Sequence, residues 1–136
     1  MRISPLTPAD FDDAAALWHR ARLTREWNPS ERDLRRALSG ATSTVLGGFE
    51  DTTLVGTVMV GHDGHRGWVY YLAVDGRSRG AGRGRELMAA AEQWLRDRGA
   101  VKVQLMVRSN NEAVLGFYDH LGYADADVHV RSKWLT

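Results

Sequence analysis

The sequence contains no cysteine. That excludes disulfides, a thiolate nucleophile and cysteine-ligated zinc in one step, and it fits a reducing cytoplasm. There is no run of the roughly 20 consecutive apolar residues that a membrane-spanning helix needs. The opening Met1-Arg2-Ile3-Ser4-Pro5 lacks the apolar stretch of a signal peptide. An excess of either charge is missing as well. Eighteen Lys and Arg against 17 Asp and Glu leave a formal charge of +1, so no global field draws the chain toward nucleic acid or an anionic membrane, and any anion site must be built locally. His, Asp and Glu do not cluster at metal-ligand spacing, so no metal is expected. Repeats, linkers and low-complexity tracts are absent too. What is present is 136 residues, 43% of them apolar, enough to fill one core in a single domain over 1–136. The expectation is a soluble cytoplasmic protein.

Along the chain, Arg2-Ile3 reads as a short strand. Thr7-Pro8-Ala9-Asp10 then opens a helix, with Thr7 as cap and Pro8 at the first position, and Phe11, Ala14, Leu17, Trp18 and Ala21 recur at helical spacing. Asn28-Pro29-Ser30-Glu31 is a second start signal, for a helix carrying Leu34, Ala37 and Leu38 up to Gly40. After Gly40 the pattern turns to strands: Thr44 to Phe49, Leu54 to Val60, and Trp68 to Val74, which is apolar on both faces and therefore central. A long helix with Leu87, Met88, Ala91, Trp94 and Leu95 on one face precedes the strand Val101 to Val107, which implies a right-handed parallel crossover. Asn110 or Asn111 can cap a last helix bearing Val114, Leu115, Tyr118 and Leu121, and the tail Ala126 to Leu135 has room for one or two more strands. The class is α/β, a mixed sheet of six or seven strands with helices on both faces.

The segment that carries chemistry is Val74-Asp75-Gly76-Arg77-Ser78-Arg79-Gly80-Ala81-Gly82-Arg83-Gly84-Arg85, set between a buried strand and a helix. Alternating glycines let the backbone approach a ligand and turn successive N–H groups inward, and the helix start adds about half a unit of positive charge. Flanking arginines can grip phosphate oxygens in forked geometry. A Walker loop needs Lys-Ser or Lys-Thr after its last glycine, yet Gly84 is followed by Arg85-Glu86. A dinucleotide fold starts G-x-G-x-x-G directly after the strand, whereas here the spacing is G-x-G-x-G and begins only at Gly80; Arg108 as an NADP-selecting arginine keeps that reading open. The plain alternative is a solvated basic loop.

These residues resemble a known family. V-x-x-x-x-R-G-x-G-x-G, from Val74 through Arg79 to Gly84, is similar to motif A of the GNAT acetyltransferases, and Asn111 to Tyr118 followed by Leu121-Gly122-Tyr123 resembles their closing N-x-x-A/V-x-x-x-Y-x-x-x-G-F/Y pattern. Leu17-Trp18, Trp27-Asn28, Gly56-Thr57-Val58-Met59 and the stretch Gly61 to Gly67 look closer still to the small bacterial YpeA-type subfamily. The resemblance implies a GNAT fold with a splayed parallel strand pair holding acetyl-CoA. Backbone groups of Leu72, Ala73 and Val74 would take the pantetheine arm as an extra strand. Arg79, Gly80, Ala81, Gly82, Arg83, Gly84 and Arg85 would hold the pyrophosphate, and Asn111 would touch the same cosubstrate.

It also implies N-acetyl transfer by direct attack of an amine through an oxyanion held by a backbone N–H. Tyr118 would protonate the departing thiolate; its plain alternative is a core tyrosine. An alkylammonium of pKa ~10 costs about 4 kcal/mol to deprotonate at pH 7, so a proton acceptor is needed. The ribosomal-protein N-terminal acetyltransferase branch has L-E-V-R with glutamate as base, but this chain has Leu105-Met106-Val107-Arg108, and Met106 cannot take a proton. A water chain, Asp63, His62, His65 or Glu26 are the candidates, against turn and surface roles for all four residues. Trp18, Trp27 and Tyr70 are candidates for the acceptor pocket or for the core. The expected partner is a small-molecule amine; a peptide N-terminus, a protein lysine, or a CoA-binding sensor without turnover are the alternatives. A homodimer through the C-terminal strands is a candidate assembly.

Overall fold

The structure is a computed structural model and describes residues 1–78 and 80–136; Arg79 lies outside the described residues. The chain divides into two compact units, Met1–Met106 and Val107–Thr136.

The first unit is built on a sheet of β1 (Arg2–Pro5), β2 (Ser43–Glu50), β3 (Thr53–His62), β4 (Gly67–Val74) and β5 (Val103–Leu105), side by side in that order. β1 to β4 are antiparallel neighbours, and β5 lies parallel to β4. Tight turns dictate the antiparallel run. Asp51, at φ 54°, closes β2 onto β3. Between β3 and β4, Asp63 Oδ1 accepts the N–H groups of His65 and Arg66 at 2.8 and 2.7 Å, which fixes the turn without help from the core. The parallel step needs a crossover, supplied by α3 (Arg83–Asp97).

Two further helices, α1 (Phe11–Arg20) and α2 (Ser30–Leu38), come between β1 and β2. Before α1 a 3-10 turn, Pro8–Asp10, is closed by the Thr7 N–H donating to Asp10 Oδ2 at 2.8 Å. The start of α2 departs from expectation. Pro29 takes the cap position, and the Asn28 side chain donates to Tyr71 Oη at 2.8 Å instead of capping, so a tertiary bond displaces the local one.

Gly56 and Thr57 show how the helices are distributed. A Cβ on Gly56 would come within 2.7 Å of Leu87 Cδ1 on α3, whereas the Thr57 hydroxyl accepts the Trp18 Nε1–H of α1 at 2.8 Å. Successive strand side chains point to opposite faces, so α3 covers one face and α1 the other. On the α1 face, Leu17, Trp18, Leu34, Ala37, Val45, Phe49 and Ala73 belong to one buried cluster. On the α3 face, Leu87, Met88, Ala91 and Leu95 are buried at helical spacing, each large side chain contributing about 1.5–3 kcal/mol. α3 sits so close that a Cβ on Gly67 would lie 2.5 Å from Leu95 Cδ1.

Thr57 is the polar point of this core and is wholly buried. Its hydroxyl also donates to the Tyr71 carbonyl at 3.0 Å. Thr57→Val keeps the shape but strips both bonds, leaving a buried indole N–H and a carbonyl unpaired. Urea unfolding should show a loss of about 1–3 kcal/mol at unchanged m-value; a midpoint equal to the parent's would mean that other partners take over.

In the second unit, α4 (Glu112–His120) is followed by Gly122 at φ 90°. Here the fold departs from expectation. Residues 121–136 form no strand among the described residues, so the sheet has five strands rather than six or seven, and the strands suggested for a homodimer contact are not formed. The cause is local. Asp127 N–H donates to Asp125 Oδ1 at 2.8 Å and Asp127 adopts φ 56°, which takes the backbone out of extended geometry where a strand would begin. Val128, Val130 and Leu135 are correspondingly exposed.

Candidate active site

β4 carries an extra residue. Thr57 pairs with Ala73, yet Met59 pairs with Tyr70, so Val58 alone opposes Tyr71 and Leu72. This is a β-bulge. Tyr71 occupies the left-handed region at φ 51°, which costs about 1–2 kcal/mol for a residue with a Cβ.

The bulge changes which peptide groups face which way. Ahead of it, Gly67 N–H donates to the Lys102 carbonyl at 2.9 Å, so Gly67, and by alternation Val69, address β5. Beyond it, Asp75 N–H donates back to the Val55 carbonyl on β3 at 2.8 Å. Ala73 therefore addresses β3, while the N–H and C=O groups of Leu72 and Val74 point away from it. β5 pairs with β4 only over Gly67 to Val69. From Tyr70 to Val74 that edge of β4 has no strand partner among the described residues, which leaves the strand slot beside Leu72 and Val74 unfilled by any other strand.

The slot runs into the glycine-rich loop. Asp75, only 6% exposed, opens it with the 3-10 turn Gly76–Ser78. Asp75 accepts the Arg77 N–H at 3.1 Å, Arg77 Nη2 at 3.2 Å and Arg20 Nη2 at 3.4 Å. Further on, Gly80 and Gly82 take φ 83° and 78°, and a Cβ on either would meet no atom within 4 Å. Backbone conformation, not crowding, demands glycine there, and the space outside is open. The first ladder bond of α3 runs from Glu86 N–H to the Gly82 carbonyl at 3.0 Å. The amides of Arg83, Gly84 and Arg85 thus lie ahead of the ladder, at the positive end of the helix. Two of the loop's arginines have carboxylate partners: Arg83 forms an ion pair with Glu50 and Arg77 with Asp75, because each guanidinium has a carboxylate within reach. Arg79, part of the expected cradle, lies outside the described residues.

The Arg77 side-chain and backbone bonds hold the Asp75 carboxyl below its ordinary value of 3.8. A carboxyl depressed in the folded state adds stability that is complete above its unfolded pKa and is lost as pH falls through the folded one. The stability gap between the parent and Asp75→Asn should therefore be widest above about pH 5 and close on acidification; a gap constant down to pH 3 would rule out this coupling.

Asn111 and Tyr118 belong to the second unit. Asn111 sits at the N-cap of α4 with no side-chain capping bond, which leaves its amide outside the helix's own needs. Tyr118 is half-buried, its ring edge-on to Phe117 at 5.1 Å and Tyr123 at 5.7 Å, and burial pushes its phenol pKa up.

The candidates for a proton acceptor fare unequally. Asp63 is occupied by the His65 and Arg66 N–H groups and by Trp68 Nε1 at 3.3 Å. The bonds from Arg66 and His65 hold its carboxyl below the usual range, so it is a turn residue and a poor base. Glu26 and His65 are exposed and His62 is partly buried. Trp18 is wholly buried and stacked on Tyr71 at 3.8 Å, which makes it core; Trp27 and Tyr70 are 58% and 43% exposed.

One cluster escaped the sequence. Tyr71 Oη donates to Asp33 Oδ2 at 2.7 Å while accepting from Asn28, and burial together with Asp33 pushes the Tyr71 phenol pKa up. No spacing signal ties residues this far apart; the adjacent tyrosines Tyr70-Tyr71 hint at most at a break in strand alternation.

A family model described as the acetyltransferase (GNAT) family matches residues 12–123. Among solved structures, the chain resembles the apo aminoglycoside antibiotic 6'-N-acetyltransferase AAC(6')-IG from Acinetobacter haemolyticus, with 17% identity, TM-score 0.81 and all of both chains covered. It resembles AAC(6')-Iy, solved with a bisubstrate analogue of CoA, at 13% identity and TM-score 0.83, covering 99% of this chain and 98% of that one. A ribosomal-protein-alanine N-acetyltransferase from Brucella melitensis biovar Abortus 2308 gives 21% identity and TM-score 0.76, with 99% of each chain covered. At these identities the likeness is one of fold.

Proposed function

The chain belongs to the acetyltransferase (GNAT) family, and from that premise we propose that it transfers the acetyl group of acetyl-CoA to a primary amine of a small molecule. The observation that carries this reading is the unpaired edge of β4, whose Leu72 and Val74 peptide groups point into a slot. That slot leads to a loop with amides left over at the start of α3.

The chain fits acetyl-CoA on its own terms. A strand edge with free N–H and C=O groups can take an extended pantetheine by main-chain bonding, which supports roles for Leu72, Ala73 and Val74. The open space at Gly80 and Gly82 and the amides from Ala81 to Arg85 suit a diphosphate. Acetyl-CoA supplies the activated acetyl thioester. The backbone N–H groups of β4 polarise its carbonyl and hold the developing negative charge on oxygen. Tyr118, kept protonated by burial, is the donor to the departing sulfur, and Asn111 is a further contact to the same cosubstrate; both roles rest on their places in the closing motif.

The acceptor is read from a departure. Met106 stands where the ribosomal-protein branch carries its basic glutamate, which weighs against a peptide N-terminus. Two of the similar folds are aminoglycoside acetyltransferases, in keeping with a small amine. The proton then leaves through water or His62, His65 or Glu26, Asp63 being tied in its turn. A panel of polyamines, amino sugars, amino acids and short peptides should show CoA release with at least one small amine and none with peptides. Peptide-only turnover would move the acceptor to the protein class, and tight acetyl-CoA binding with no turnover on any amine would make the chain a sensor.

A further inference from the structure

The slot depends on a bulge whose central residue is conformationally unfavourable, and that residue is gripped from several directions. Thr57 Oγ1 donates to the Tyr71 carbonyl at 3.0 Å, Trp18 stacks on the ring at 3.8 Å and 11°, Asn28 Nδ2 donates to the phenol oxygen at 2.8 Å, and the phenol donates to Asp33 Oδ2 at 2.7 Å. We propose that Tyr71, clasped by Asn28 and Asp33, is a positioning residue of the transfer site: it fixes the strand phase that turns the Leu72 and Val74 amides into the slot.

The inference rests on reading that slot as the place of the thioester arm. Strand backbones alternate with a period of two, so one inserted residue exchanges the groups facing a neighbour for those facing away. Gly67 and Val69 address β5 ahead of the bulge, Leu72 and Val74 address the open edge beyond it, and Tyr71 absorbs the change. If Tyr71 relaxes to extended geometry, the bulge is free to migrate and Ala73, not its neighbours, comes to face the slot. The left-handed φ of 51° favours that relaxation, and the clasp opposes it. Asn28 directly precedes Pro29, and Asp33 lies in the first turn of α2. The segment leading into α2 therefore sets the alignment of amides on β4.

The test is a comparison of ligands that share the nucleotide end and differ in the arm. Acetyl-CoA and its nucleotide end alone, ADP carrying the same 3′-phosphate, are titrated calorimetrically into the full chain. Tyr71→Phe keeps the ring on Trp18 and removes only the hydroxyl. It should weaken acetyl-CoA by about tenfold, the size expected for loss of charge-assisted hydrogen bonding, lower kcat by a similar factor, and leave the nucleotide end within about twofold. Asp33→Ala, which removes one of the two phenol bonds, should weaken acetyl-CoA in the same direction by a smaller factor, the double variant should add little to Tyr71→Phe because the phenol–Asp33 bond is already gone, and Asp33→Asn, which still accepts from the phenol, should recover most of the affinity. Equal weakening of both ligands, or of neither, would overturn the positioning role. A parent protein that binds acetyl-CoA no more tightly than its nucleotide end would overturn the reading of the slot, and the proposal with it.

Discussion

Tyr118→Phe should lower kcat by about 10²–10⁴-fold, the usual worth of a positioned general acid, while acetyl-CoA affinity stays within about twofold. The leaving group is an alkyl thiolate, which becomes basic as the C–S bond breaks; a phenol, of ordinary pKa about 10, is a competent donor to it as sulfur gains charge. Burial raises the Tyr118 pKa above 10.0, so the acid form persists through the neutral range. No descending limb from this group is expected in the parent's kcat profile below about pH 10. Phenylalanine retains the edge-on contacts to Phe117 and Tyr123, which separates lost chemistry from lost packing. Steady-state CoA release with thermal unfolding of the same sample makes the measurement. A kcat within about threefold of the parent at unchanged stability would return Tyr118 to the role of a packing residue.

What the sequence revealed and what it hid divide along physical lines. Strands whose apolar content is local, such as Thr53–His62 and Gly67–Val74, were legible to within a residue or two, and so was α3, because periodicity and turn residues are properties of neighbouring positions. Glycine spacing likewise exposed the loop, since a φ near 80° at Gly80 and Gly82 leaves a direct mark on residue choice. Long-range partners were not legible. Asn28 beside Pro29 is a good cap by local rules, yet it bonds Tyr71. Nothing near Arg83 in the sequence announces that Glu50, at the end of β2, is its ion-pair partner. The bulge was hidden for the same reason: nothing in Tyr70-Tyr71-Leu72 states that two residues face one on β3. The tail misled in the opposite way, with Val128 and Val130 alternating like a strand while the Asp125–Asp127 turn works against one.

Gly82→Val should raise the acetyl-CoA dissociation constant by at least about 100-fold, equivalent to roughly 2.7 kcal/mol, without unfolding the chain. Gly82 sits at φ 78° and ψ 13° immediately before Arg83, a conformation that a β-branched residue tolerates poorly. A Cβ there meets no atom within 4 Å, so the side chain costs nothing in protein packing; its effects are to turn the loop and to fill the space over the Arg83 to Arg85 amides. Each of those amides is worth about 1.5–3 kcal/mol to an anion, so misaligning two accounts for the loss. The control is Gly99→Val. Gly99 has φ 80° and open surroundings but lies beyond the opposite end of α3, so it carries the same backbone penalty with no place in the cradle. Gly99→Val should unfold earlier and bind acetyl-CoA like the parent. If the two variants bind alike, or if Gly82→Val keeps the parent's affinity, the amides ahead of α3 do not hold the diphosphate.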